Sequence, residues 1–144
     1  MALERFELWI TAAGAAQLLL CLGTLALPRI LRWREKLAVL PTLERQMFYV
    51  YAAYIWGTNL AFGLVSCFAA PWLLDGSGLA SAVLGFIALY WGARVALQFL
   101  YFDLRSARPP GVIFVVAERA LELLFVGLTL LYGTACACSI AGLR

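Results

Sequence analysis

Apolar residues run through this chain in four long blocks, at about residues 6–27, 46–72, 79–102 and 112–138, with short polar connections between them. About 20 apolar residues are what an α-helix needs to cross the hydrocarbon core of a bilayer. The pattern therefore predicts an all-α fold, an integral membrane bundle of four transmembrane helices forming one membrane domain over residues 1–144. The punctuation agrees with it. The first block ends at Pro28, and the second carries Pro71 and Trp72 at its far end. Asp75, Gly76, Ser77 and Gly78 supply turn chemistry before the third, and Pro109, Pro110 and Gly111 break the chain before the fourth.

Inside the blocks the few polar residues fall on faces. In the first helix, Ala12–Ala16 (AAGAA) is a small-residue patch that lets a neighbouring backbone come close. Gln17 shares a face with Gly14, Cys21 and Thr24, as a helix-packing face would. The second helix opens on MFYVYAAY, an aromatic belt of the kind found at a membrane interface, with Tyr51, Tyr54 and Thr58 on one side. Asn59 lies about 18 Å in from Met47 at 1.5 Å per residue, which sets it near mid-membrane. There an asparagine is expected to hydrogen-bond a neighbouring helix, with a ligand contact as the alternative.

The third block, GFIALYWGARVALQFLY from Gly85 to Tyr101, carries Arg94 at its centre. An arginine at such depth costs several kcal/mol unless it is answered, and the fourth helix offers Glu118 and Glu122. Counted inward from the cytoplasmic ends, Arg94 is about 12 Å deep, Glu118 about 9 Å and Glu122 about 15 Å. Glu118, Arg119 and Glu122 occupy an arc of about 100° on the fourth helix, and Tyr90, Arg94, Gln98 and Tyr101 about 80° on the third, so two polar stripes can face each other. Two arginines against two glutamates sum to zero, and that balance favours a structural tether over a proton-coupled site, which needs an acid free to titrate. In a second placement the fourth helix spans Leu121 to Leu143 and VIFVVA forms a short interfacial piece; the deeper placement is preferred because it compensates Arg94.

Charge sets the topology. Five of the eleven basic residues, Arg29, Arg32, Arg34, Lys36 and Arg45, lie in the connection 28–45. By the positive-inside rule that loop is cytoplasmic, and both termini are outside the cytoplasm. Within it Ile30, Leu31, Trp33 and Leu37 alternate with the arginines as in an interfacial helix, so contact with the lipid bilayer is expected. The N-terminal residues Glu4, Arg5 and Glu7 form no positive n-region, so a spanning helix is expected rather than a cleaved signal.

Composition narrows the chemistry. Hydrophobic residues make up 65% of the chain and charged ones 13%, with a mean hydropathy of +0.91, far from soluble domains. The net charge of +3 is accounted for by topology, so no nucleic-acid partner is expected. There is no histidine, which removes bis-histidine haem, most zinc and copper sites and histidine bases for Ser66, Ser81 or Ser139. Cys21, Cys67, Cys136 and Cys138 lie in apolar runs and are expected as packing residues; Cys136 and Cys138 could bind a soft metal, but two thiols without further ligands are weak evidence of such a site. No phosphate loop or nucleophile elbow occurs. No metal, no cofactor and no catalytic residue is expected.

Two stretches, LERQMFYVYAAYIWGTNLAFGLVS and LGFIALYWGARVALQFLYFD, resemble a recurring group of small bacterial membrane proteins without an assigned activity. The resemblance implies bacterial origin, hence the inner membrane, and a four-helix topology. Small multidrug-resistance transporters have a similar size, but their key glutamate is in the first helix, and this first helix has none between Glu7 and Pro28. The expected function is non-catalytic: an accessory subunit or helix-packing partner of a membrane assembly, as a homo-oligomer or with another membrane protein. Small residues at Ala12, Ala16, Gly57 and Ala61 suit that role. The alternative is a carrier or binder of lipophilic molecules between the second, third and fourth helices. It would use Arg94, Glu118, Glu122 and Arg119, with Tyr54, Asn59, Tyr90 and Gln98 as hydrogen-bonding partners.

Overall fold

A computed structural model describes residues 2–101 and 111–142 of the chain. The connection with Arg105, Arg108, Pro109 and Pro110, and the expected end of the third helix at Phe102, lie outside the described residues. The described residues form helices and no strand: α1 Ala2–Thr24, α2 Leu27–Ile30, α3 Trp33–Lys36, α4 Thr42–Phe68, α5 Ala70–Leu73, α6 Gly78–Leu100 and α7 Val112–Ile140. Four stretches are long and apolar enough to cross a membrane, Arg5–Ile30, Thr42–Phe68, Gly78–Leu100 and Val112–Ile140. Their outer faces fit that: Leu89 is 71% exposed and Leu130 63%, on surfaces too apolar for water. Helix number, length and composition are those of a multi-pass membrane protein.

Local chemistry explains the helix ends. Pro41, at φ −50° and ψ 149°, precedes α4, and its carbonyl accepts the Arg45 N–H at 3.0 Å. The helix thus begins at Thr42, with a polar first turn ahead of the apolar block expected from residue 46. It ends at Phe68, short of residue 72, because a helical Pro71 would drive its ring into the Cys67 carbonyl; Ala69 breaks away at φ −126° and ψ 23°. The Ser77 hydroxyl caps α6 by accepting the Ala80 N–H at 3.0 Å, while the Asp75 carboxylate accepts the Ser77 N–H at 2.7 Å. Between them Gly76 sits at φ +76°, where a side chain would be strained. The fourth long helix is continuous from Val112, so VIFVVA is not a separate piece.

The chain divides into two compact units, Ile10–Ala70 and a second formed by Met1–Trp9 with Pro71–Arg144. In the first unit, α1 and α4 make an antiparallel hairpin. A Cβ on Gly14 would lie 2.7 Å from the Cys67 nitrogen and 2.9 Å from the Gly63 oxygen, so the small-residue patch is where the two backbones meet. A Cβ on Gly63 would in turn meet the Leu18 side chain at 2.8 Å. Further along, the Trp56 indole N–H donates to the Cys21 carbonyl at 3.0 Å, and the Thr24 hydroxyl to the same oxygen at 2.9 Å. Gln17 is fully buried and donates to the Ala13 carbonyl at 3.2 Å. The face of Gly14, Gln17, Cys21 and Thr24 is therefore a packing face.

In the second unit, α6 and α7 pack antiparallel along seams spaced by threes and fours. Leu84, Ile87 and Trp91 are buried on α6, and Phe125, Leu128, Tyr132 and Ala135 on α7, the spacing of helices that interlock at a shallow angle.

The atoms that crowd a Gly14 side chain are backbone and cannot yield. Gly14→Ala should lower stability by about 1–3 kcal/mol. Gly133→Ala, in the middle of α7 where a Cβ meets nothing within 4 Å, should raise it by roughly 0.5–1 kcal/mol. Thermal unfolding of both variants in one detergent, followed by circular dichroism, checks the pair; equal melting of Gly14→Ala and wild type would refute the close approach.

Candidate functional site

The sequence points to Arg94, Glu118, Arg119, Glu122, Gln98, Tyr90, Tyr54 and Asn59. Tyr54 and Asn59 belong to the unit Ile10–Ala70, and the other six to the unit containing Pro71–Arg144. Each set is described within its own unit.

The register of α6 on α7 is fixed by three level pairs. Ser81 and Ser139 share a hydrogen bond of 2.7 Å, a Cβ on Gly85 would lie 3.3 Å from the Cys136 sulfur, and one on Gly92 would lie 3.4 Å from the Thr129 methyl. Continued at the same pace, this register sets Gln98 about level with Glu122 and puts Arg94 beside Phe125. Arg94 is thus further along α7 than the level between Glu118 and Glu122 that counting from helix ends gives. That count takes the two helix ends as level, whereas the register here is read from Ser81, Gly85 and Gly92 against α7. The Arg94 guanidinium carbon stands 5.3 Å from the Phe125 ring centre, within cation–π range. Trp91 stacks on the same ring at 5.1 Å and 22°, and Tyr90 meets Trp91 edge-on at 5.4 Å. The half-buried arginine therefore rests against an aromatic wall.

The carboxylates act differently from one another. Glu122, whose side chain is 11% exposed, takes Arg119 as an ion-pair partner at 2.5 Å, one turn away on α7. A pair within one helix steadies that helix and tethers nothing to it. Glu118 is half-buried, and Gln98 is buried at 7% exposure.

In the other unit, Tyr54 is 72% exposed. Thr58 donates its hydroxyl to the Tyr54 carbonyl at 2.9 Å. Asn59 is half-buried, and its Oδ1 is fully enclosed without a hydrogen-bond partner. On the outer face of α4 a groove of about 500 Å³ is lined by Val50, Ala53, Tyr54, Gly57, Thr58 and Ala61. Its floor is the small-residue series Ala53, Gly57 and Ala61, four residues apart, and a Cβ on Gly57 would meet nothing within 4 Å.

Sequence reasoning passed over the polar clasp at the far end of α6 and α7. The Ser81 hydroxyl also lies 3.0 Å from the Ser77 carbonyl, to which it donates, so it accepts from Ser139; the Cys136 thiol donates to the Ser81 carbonyl at 3.4 Å. Serines in two apolar helices, each near the same membrane face, were the available signal. No set of three metal-ligating side chains occurs among the described residues.

The clasp makes a measurable coupling. A double-mutant cycle of Ser81→Ala and Ser139→Ala should give about 0.6 kcal/mol, and at most about 1.7 kcal/mol, in reversible unfolding in detergent. A coupling of zero would mean the two hydroxyls do not hold the helices together. No protein-family model matches the chain, and no curated protein or solved structure matches it.

Proposed function

We propose that this is a non-catalytic protein of a bacterial inner membrane, with both termini outside the cytoplasm, acting as an accessory subunit or helix-packing partner in a membrane assembly. The observation that carries this is the α4 groove. Its floor of Ala53, Gly57 and Ala61 is open where Gly14, the comparable position of α1, is filled by backbone. In lipid, association between helices relies on close van der Waals fit, and small residues four apart provide it. Tyr54 and Thr58 line the groove and bring hydroxyls to its edge. The groove fits another transmembrane helix, from a second copy or from a different membrane protein.

A second function has one observation in its favour. The enclosed, unpartnered Oδ1 of Asn59 is an acceptor that a bound molecule's donor would satisfy, as a carrier or lipophilic-molecule binder requires.

Native mass spectrometry of the protein extracted gently from its own membrane separates these. A second copy or a stoichiometric membrane-protein partner is expected. Gly57→Leu should leave the melting temperature of the isolated chain nearly unchanged and weaken that association about ten- to a hundredfold by overfilling the groove. A monomer whose only companion is a defined small molecule, lost on Asn59→Ala in a still-helical protein, would overturn the docking role in favour of the second.

A further inference from the structure

The connection between α1 and α4 holds a surplus of charge that the rest of the chain lacks. Between Leu27 and Arg45 there are five basic residues against Glu35 and Glu44, a surplus of three equal to the net charge of the whole chain, +3. Glu35 is taken by Arg32 at 2.5 Å. Arg29, Arg34 and Lys36 are exposed, and among the described residues no carboxylate pairs with them.

This basic stretch is folded. Arg32 turns the chain between α2 and α3 in the left-handed region, at φ 54° and ψ 47°, a conformation uncommon outside glycine and asparagine. The Trp33 ring then packs edge-on against Phe48 at 4.9 Å and 85°, which joins the connection to the aromatic first turns of α4. Large aliphatic side chains stand out beside the cations: Ile30 is 56% exposed, Val39 85% and Leu43 66%. Cations and exposed aliphatics in one folded segment suit the boundary between headgroups and acyl chains, where the stems of arginine and lysine lie along apolar surface.

We propose that Leu27–Arg45 is a docking surface for anionic phospholipids, with Arg29, Arg34 and Lys36 holding the headgroup phosphates while Ile30, Val39 and Leu43 enter the acyl boundary. The charge surplus identifies the partner as anionic, and the exposed aliphatics identify it as a lipid and not a soluble phosphate. The site lies away from the α4 groove and does not depend on it, so either can fail alone.

The test uses the full chain in nanodiscs of phosphatidylcholine mixed with phosphatidylglycerol, with the lipids retained on the protein counted by native mass spectrometry. Phosphatidylglycerol should be retained above its share of the disc. Neutralising Arg29, Arg34 and Lys36 to glutamine should remove that preference, by roughly fivefold for each charge at low salt, while phosphatidylcholine retention and helicity stay unchanged. Should the triple variant lose helicity, a salt series on the wild type decides instead, because the preference should weaken once the screening length shrinks to about 3 Å near 1 M. Equal retention of both lipids, a preference that survives neutralisation, or one that persists through the salt series overturns the proposal. So does displacement of phosphatidylglycerol by inorganic phosphate at matched concentration, which would identify a soluble-anion site.

Discussion

The constraint behind this architecture is that apolar side chains cannot tell the inside of a membrane protein from the outside. Lipid tails are as apolar as leucine, so burying one leucine against another yields little drive between helices. What remains is closeness of fit and the need to satisfy polar groups internally. Leu89 and Leu130 stand on outer faces at 71% and 63% exposure while Leu84 and Leu128 are buried. The residue type is the same, and the decision was made by their neighbours.

The two units meet this constraint by different means. In Ile10–Ala70, the hairpin closes backbone to backbone at Gly14, and side-chain donors then find carbonyls that helical bonding leaves a free lone pair: Trp56 and Thr24 at Cys21, Cys67 at Thr11. In the unit of α6 and α7, large rings do the work. Trp91 is 1% exposed and stacks on Phe125, and the two helices are clasped near one end by Ser81 and Ser139. A small-residue contact tolerates no added atom, whereas an aromatic seam tolerates little removal, so substitutions in the two units should fail in opposite directions.

Much of this was legible in the sequence because helix length and hydrophobicity are local. The four spans, the Asp75–Gly78 turn and the packing role of Gly14 and Gln17 all follow from a residue and its near neighbours. The start of α4 was displaced for a local reason too: Thr42 to Arg45 form a polar first turn that an apolar-block criterion omits. The stagger between two helices is not local. It depends on how Ser81, Gly85 and Gly92 seat against α7, and an error of one turn, about 5.4 Å, moves a side chain to a different partner. That is why the contact of Arg94 with Phe125 could not be read from helix ends alone.

The stagger also changes what the charged residues ask of their surroundings. Glu122 finds its cation on its own helix, and Arg119, with a side chain 63% exposed, keeps that cation near an accessible edge. Such a pair loses less solvation than one drawn wholly into the interior, and it gives correspondingly little to the joining of α6 and α7. Arg94 keeps a delocalised charge against the faces of aromatic residues, which a guanidinium can do and an ammonium does less well. The Arg119–Glu122 pair lies within one helix turn, whereas Arg94 rests on a ring of the neighbouring helix. The connection between α1 and α4 carries a surplus of three, equal to the net charge of the chain, in a folded segment where exposed cations and exposed aliphatics lie side by side.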